Sequence, residues 1–321
     1  MRVLLTGAAG FIGLNMLRTL LNAGHDVVAA DNFSRGIDDE EFQNVISNPK
    51  VTYLTLDLSD QESWDSFQGN FDRVIHLAAI NGTKNFYERP LDVMAINTGI
   101  VSNLITWHQR TESRARIIFT SSSEVYAGIS GNPIPTPENV VVGVDNIENP
   151  RWSYAISKIA GEALIRGYQS QCGATFTIIR PHNVYGPRMG DDHVLPEFVE
   201  RIKSAVSPFQ IFGGNNTRAF CYVDDFVDGI LLAADSDQAE NMTFNLGDDS
   251  DEISITDLAN RLFTIAGVSP EVDIRSAPEG SVLRRCPDIT QAKKILGYSP
   301  KVSLSDGLKT TYDWYAKRSL N

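Results

Sequence analysis

Arg2-Val3-Leu4-Leu5-Thr6-Gly7-Ala8-Ala9-Gly10-Phe11-Ile12-Gly13 is the stretch whose reading decides the fold. A short apolar run breaks into a turn carrying Gly7, Gly10 and Gly13. A second apolar run, Asp26-Val27-Val28-Ala29-Ala30, then ends at Asp31. Strand, glycine turn, helix, strand and acid in that order let a dinucleotide lie against backbone. Glycine permits a positive φ and removes the Cβ that would strike a pyrophosphate. The helix starting there turns free N–H groups and the positive end of its dipole toward phosphate. An acid at the end of the second strand accepts both hydroxyls of the adenosine ribose and repels a 2′-phosphate, so the expected cofactor is NAD rather than NADP.

Outward from that stretch, apolar runs at 2–5, 26–30, 51–55, 73–77, 116–120 and 175–180 read as strands. Between them, 11–23, 61–68, 90–110 and 153–171 carry apolar residues at three- and four-residue steps and read as helices. This alternation predicts a doubly wound parallel sheet of Rossmann type, with ligands at the C-terminal edge of its strands. After Pro181 the texture changes, with Gly, Pro and polar residues crowding 182–193 and 207–217. Helices are expected at 223–234, 254–266 and 290–297, and a further strand at 242–246. The expected division is an NAD-binding domain over 1–182, rejoined by 223–248, and a smaller α/β substrate-binding domain over 183–321.

Composition narrows the function. The chain has 321 residues, 42% hydrophobic and 21% charged, the mix of a globular protein able to bury a large core. No run of about 18 apolar residues is present to span a membrane. No signal peptide is expected, and the cytoplasm is the expected location. A net charge of −12 repels polyanions, so no nucleic-acid partner is expected, although clustered arginines would still hold a small anion. Cys172, Cys221 and Cys286 are odd in number and far apart, and neither they nor the five histidines have ligand spacing, so no metal is expected.

Two further stretches carry chemistry. Tyr154 and Lys158 stand four residues apart, on one face of a helix. A nearby ammonium and the positive nicotinamide ring both favour phenolate, so the tyrosine is expected to accept a proton from a sugar hydroxyl near neutral pH. Thr120-Ser121-Ser122-Ser123-Glu124-Val125-Tyr126 follows the buried run 117–119 and therefore sits at a strand's C-terminal end, where a hydroxyl can bind the oxygen being oxidised.

Taken with His76-Leu77-Ala78-Ala79, Asn97, Arg180-Pro181-His182-Asn183-Val184-Tyr185-Gly186-Pro187-Arg188, Thr217-Arg218-Ala219-Phe220 and Arg284-Arg285-Cys286-Pro287, these motifs give the chain its likeness. It resembles an extended short-chain dehydrogenase/reductase of the nucleotide-sugar epimerase/dehydratase family over nearly its whole length. The resemblance implies that Ser122, Tyr154 and Lys158 are catalytic, with Glu124 assisting. It assigns the cofactor to Gly7, Gly10, Phe11, Ile12, Gly13, Asp31, Asn32, Asp57, Leu58, Leu77, Ala78, Ala79, Tyr154, Lys158 and Pro181. It assigns a nucleotide-diphosphate sugar to Ser123, Asn183, Arg218 and Arg285. A homodimer through 90–110 and the Tyr154 helix is expected from the same likeness.

The family's shared chemistry is transient oxidation of sugar C4 by NAD, and its branches differ in the fate of the 4-ketone. Glu124 after Ser123 resembles decarboxylases and some dehydratases, 217–223 and 284–300 resemble UDP-glucuronate decarboxylases, and 151–154 resembles the decarboxylase of the 4-amino-arabinose pathway. Decarboxylation or dehydration at C5/C6 is therefore the expected activity. A 4-epimerase of UDP-glucose or UDP-glucuronate type is the alternative, and a non-catalytic NAD-binding regulator the second. His182 and the loop 80–89 match no branch.

Overall fold

A computed structural model describes residues 1–278 and 280–318 of the chain. The last three positions of the expected second domain, 319–321, lie outside the described residues. The first lobe runs β1 (Arg2–Thr6), α1 (Phe11–Asn22), β2 (Asp26–Asp31), α2 (Glu40–Ile46), β3 (Val51–Thr55), β4 (Arg73–His76), α3 (Thr83–Glu88), α4 (Pro90–Arg110), β5 (Arg116–Thr120), α5 (Ser153–Cys172) and β6 (Phe176–Pro181). Strand Met242–Leu246 pairs with β6, giving a seven-stranded sheet in the order β3-β2-β1-β4-β5-β6-(242–246). All six pairings are parallel. This is the doubly wound Rossmann order, and strand order reverses between β1 and β4, where the crevice opens.

The strands read as continuous apolar runs because both faces of the sheet are covered. On one face Val3, Leu5, Ala29, Ile75 and Ile179 meet Met16, Leu17 and Leu20 of α1 and Phe226 and Ile230 of helix Val223–Asp235. On the other, Leu4, Val28, Val74, Ile117 and Phe119 meet Leu104 and Trp107 of α4 and Ile165 of α5. Adjacent residues of β1 thus serve opposite cores, as period-two alternation requires.

Segment 61–68 departs from the regular helix its spacing suggests. It is a 3-10 helix, Glu62–Ser66, whose i,i+3 register brings Trp64 toward Phe67, with ring centroids 5.5 Å apart. Beyond β6 the chain builds a second lobe. Helices Val194–Lys203, Ile255–Ala266 and Leu304–Lys317 pack around a two-stranded parallel sheet of Phe209–Phe212 and Val272–Arg275. A three-stranded sheet orders Glu252–Ser254, Thr217–Ala219 and Arg284–Arg285, which brings Arg218 beside Arg285. Among the described residues no helix is long and apolar enough to cross a membrane.

Candidate active site

The glycine turn is built by exclusion. Gly7 has φ +73°, and a Cβ there would lie 2.8 Å from the Ala78 backbone nitrogen. At Gly13 a Cβ would come within 1.9 Å of the Gly7 carbonyl oxygen, so α1 packs onto the turn only with glycine at that position. Gly10 differs. Its missing Cβ would meet nothing closer than the Gly7 oxygen at 3.4 Å, which leaves its outer side open to the cavity. Gly10 also begins α1 without a side-chain cap, so the helix offers backbone donors to an anion there.

Asp31 braces this turn from the end of β2. One carboxylate oxygen accepts the Ala9 N–H at 3.0 Å and the other accepts the Phe33 N–H at 2.8 Å. Burial pushes its pKa up against the pull of those donors. An uncapped helix start, a Cβ-free approach and a buried acid at one strand edge fit a dinucleotide's pyrophosphate and ribose.

The end of β5 and the start of α5 meet across the same cavity. Tyr154 is buried, its ring stacked on Phe86 of α3 at 5.0 Å and 11°. The Lys158 ammonium lies 5.7 Å from the Tyr154 ring centroid and donates to the Thr120 carbonyl at 2.9 Å. Ser122 Oγ accepts the Glu124 N–H at 3.1 Å, which opens a short 3-10 turn over Ser123–Tyr126. That turn aims the Glu124 carboxylate between two guanidiniums: Arg151 at 3.1 Å, and Arg285 at 3.0 Å from its other oxygen. Burial pushes the Glu124 carboxyl up, yet Arg285 and Arg151 together outweigh it and hold the pKa below its usual range. Arg218 stands nearby, held by the Thr217 and Val282 carbonyls, with its pKa lowered to about 10 by burial and by the Arg285 charge.

The residues assigned to catalysis, cofactor and sugar nucleotide line one cavity of about 1040 Å³, whereas Asn97 lies behind it, bonded to the Ile80 backbone and the Ser157 hydroxyl. Gly7, Gly10, Phe11, Ile12, Gly13, Asp31 and Asn32 form its floor at one end. Asp57, Leu58, Leu77, Ala78, Ala79 and Pro181 form the flanks. Ser122, Ser123, Glu124, Tyr154 and Lys158 stand at the centre, and Asn183, Arg218 and Arg285 come from the second lobe. Asn183 takes φ +42° and donates to the Ala219 carbonyl at 2.8 Å, tying the end of β6 to the Arg218 strand.

The model of the NAD dependent epimerase/dehydratase family matches residues 3–247. The chain belongs to this family. Among similar proteins is the UDP-N-acetyl-alpha-D-glucosaminuronate decarboxylase of Bacillus cytotoxicus, 31% identical over 98% of this chain and 97% of the relative. UDP-glucuronic acid decarboxylase 5 of Arabidopsis thaliana is also 31% identical, over 96% of this chain and 87% of the relative. Among solved structures, the UDP-glucuronic acid 4-epimerase of Bacillus cereus, in complex with UDP-glucuronic acid and NAD, superposes with a TM-score of 0.85. It is 28% identical and covers 99% of both chains. The protein is therefore an enzyme of the epimerase/dehydratase family, and its cofactor is NAD.

Burial dominates the electrostatics around the family's tyrosine. Burial drives the Tyr154 pKa well above the ordinary phenol value, and the groups opposing it are the Ser122 side chain and Arg35, with Lys158 absent from them. Lys158 is directed to the Thr120 carbonyl, and its own pKa is lowered to about 8 by burial, partly countered by Glu162.

Several side chains in this constellation carried no assigned role in the sequence reading. Arg151 precedes Tyr154 by three residues, within reach of one helical turn, and that spacing was the available signal. Phe86 lies in 80–89, the segment expected as a loop that matches no branch; the structure makes Thr83–Glu88 of it helix α3, and stacking on Tyr154 is a contact no local pattern announces. Behind the site, Glu162 accepts both Arg180 (2.6 and 2.8 Å) and the Ser121 hydroxyl (2.6 Å), anchoring the end of β5 to α5.

Proposed function

We propose that the protein is an NAD-dependent nucleotide-sugar decarboxylase acting on a UDP-hexuronate. The observation that carries this reading is the Glu124 carboxylate clamped between Arg151 and Arg285 at the edge of the Ser122–Tyr154–Lys158 cluster. Returning hydride to a turned-over ketone needs no acid–base group at C5, whatever cations hold the sugar's carboxylate. Loss of a carboxylate from C5 needs cations to receive the carboxylate and an acid–base group to manage C5. Likeness to two uronate decarboxylases over nearly the whole chain supports the same choice.

In this reading Gly10 and the start of α1 hold the pyrophosphate, Asp31 and Asn32 the adenosine ribose, and Asp57 and Leu58 the adenine. Leu77, Ala78, Ala79 and Pro181 line the nicotinamide end. Bound NAD supplies the hydride acceptor for C4 and later the hydride donor. Ser122 orients the C4 hydroxyl, Tyr154 takes its proton, and Lys158 fixes the nicotinamide ribose. The resulting 4-ketone stands β to the C6 carboxylate, so carbon dioxide leaves as the C5–C6 bond electrons pass into the ketone. Arg151 and Arg285 neutralise the departing carboxylate. Glu124, an acceptor while charged, orients a water that gives its proton to C5, and the hydroxide left behind combines with the released carbon dioxide as bicarbonate. Ser123, Asn183 and Arg218 position the diphosphate and nucleotide.

Incubation with UDP-glucuronate, with products identified by mass, tests the proposal. Decarboxylation lowers the substrate mass by roughly 44 units, the mass of carbon dioxide. A product of unchanged mass refutes decarboxylation and supports the second reading, a UDP-glucuronate 4-epimerase, which the Bacillus cereus likeness favours. We further propose a homodimer through α4 and α5, which pack side by side and leave Gly99 and Gly167 facing open space. Three free thiols support a reducing compartment, the cytoplasm.

A further inference from the structure

Seven arginine and lysine side chains line the cavity, and six have a partner among the described residues. Arg89 pairs with Asp92, Arg151 and Arg285 with Glu124, and Arg188 with Asp39 and Glu41. Arg218 and Lys158 donate to backbone carbonyls. Arg35 is the exception, with neither a hydrogen bond nor an ion pair among the described residues. A guanidinium that lines a cavity with only Asp192 near it, and no side chain directly paired to it, is poised to take an anion.

Its placement says which anion. The loop that carries Arg35 is clasped to the glycine turn: Phe33 N–H donates to Asp31, and Ile37 N–H donates to the Ala9 carbonyl at 3.2 Å. A Cβ on Gly36 would lie 2.6 Å from that of Ala9, so the two segments touch. From this base the side chain reaches over to the opposite loops. Nη1 lies 2.7 Å from where a Gly82 Cβ would be, and Nη2 lies 3.1 Å from that of Gly190. The guanidinium occupies room that two glycines leave. It is also close enough to Tyr154 to favour the phenolate. The side chain therefore reaches from a loop packed on the phosphate turn across the cavity to the loops at Gly82 and Gly190.

We propose that Arg35 is a retaining clamp on the cofactor's pyrophosphate, closing over the anion seated on the glycine turn and setting how slowly bound NAD(H) leaves. Retention matters because the sugar is oxidised and reduced again by the same cofactor, and escape of NADH strands a keto sugar. The inference rests on the family's cofactor and is independent of whether the sugar is decarboxylated or epimerised.

The test uses the full chain without any sugar. Purified enzyme is loaded with NADH, chased with excess NAD, and NADH release is followed by fluorescence. Arg35→Gln removes a charge-assisted contact, so release accelerates roughly ten- to hundredfold. Arg35→Lys restores most of the retention. Adenosine, which lacks the pyrophosphate, binds all three proteins equally. Unchanged NADH release in Arg35→Gln overturns the proposal, as does equal weakening of adenosine, which would report a disturbed loop. A raised KM for the nucleotide sugar with normal NADH release also overturns it, assigning the guanidinium to the substrate.

Discussion

Replacing Glu124 by Gln separates the branches of this enzyme family most sharply. The carboxylate faces two guanidiniums at 3.0 and 3.1 Å, with its side chain 15% exposed and those of Arg151 and Arg285 12% and 15%. Water is largely, though not wholly, excluded, so the pair is worth less than a fully buried one and more than a surface one. Gln keeps one carbonyl acceptor and loses the charge, leaving two cations sharing one neutral group. A loss of about 2 kcal/mol in stability is expected, the scale of a hydrogen bond to a charged group.

The pH dependence has a definite sign. Because the folded pKa is depressed, this stabilisation is present above the unfolded carboxyl's pKa and fades as pH falls through the folded value. Wild type and variant should therefore converge in stability in acid, which thermal unfolding across pH will show.

On activity the same substitution predicts a split. Arg151 and Arg285, released from a competing carboxylate, hold a substrate carboxylate at least as well, so KM for UDP-glucuronate does not rise. Steady-state carbon dioxide release falls by at least about a hundredfold, the usual contribution of a positioned acid–base group, because each site stalls after its first release with C5 unprotonated, while C4 oxidation, seen as NADH absorbance, persists. Trapped carbon dioxide and cofactor absorbance in one reaction measure both. Undiminished carbon dioxide release would refute the argument and leave Glu124 a structural counter-ion.

The other expectations concern the oxidation step. Tyr154→Phe keeps the stack on Phe86 and removes the proton acceptor, so turnover drops by roughly two to four orders of magnitude while NAD affinity stays within about twofold. Equilibrium NAD titration alongside turnover checks this. Asp31→Ala removes the acceptor for the Ala9 and Phe33 N–H groups as well as for ribose, so NAD binding weakens roughly tenfold or more and the preference over NADP narrows. Paired NAD and NADP titrations decide it. With Lys158 titrating at about 8, kcat/KM of the free enzyme falls as pH rises through that value and the ammonium is lost, and a profile flat through it contradicts the assignment.

Legibility in the sequence depends on which interactions are local. β1, β2 and β5 are buried on both faces and so read as unbroken apolar runs, and the glycine turn lies wholly within 7–13. Tyr154 and Lys158 share a helix face by spacing alone. The second lobe was harder. Helix Val194–Lys203 carries Pro196 in its first turn and comes after the Gly- and Pro-rich lead-in 182–193, which hides its start. α2 buries only Phe42, too little for a periodic signal. The Glu124 clamp joins residues from the β5 end, the α5 start and the strand Arg284–Arg285, so only the folded chain reveals that the carboxylate is doubly paired. The spacing of Tyr154 and Lys158 likewise gives no hint that the ammonium, while lying against the Tyr154 ring, also donates to the Thr120 carbonyl at the end of β5.

A chain of net charge −12 that handles a polyanionic substrate poses a physical question, and the cavity answers it. Surface acids act through water and are screened beyond about 8 Å at physiological salt. Inside, Arg151, Arg218 and Arg285 surround a single carboxylate, leaving a surplus of positive charge where dielectric screening is weakest. The acidic exterior discourages long polyanions, whereas an anion small enough to enter meets the cations at contact distance. Selection between a nucleic acid and a nucleotide sugar is thus made by depth, and it should survive moderate salt that would erase any long-range attraction.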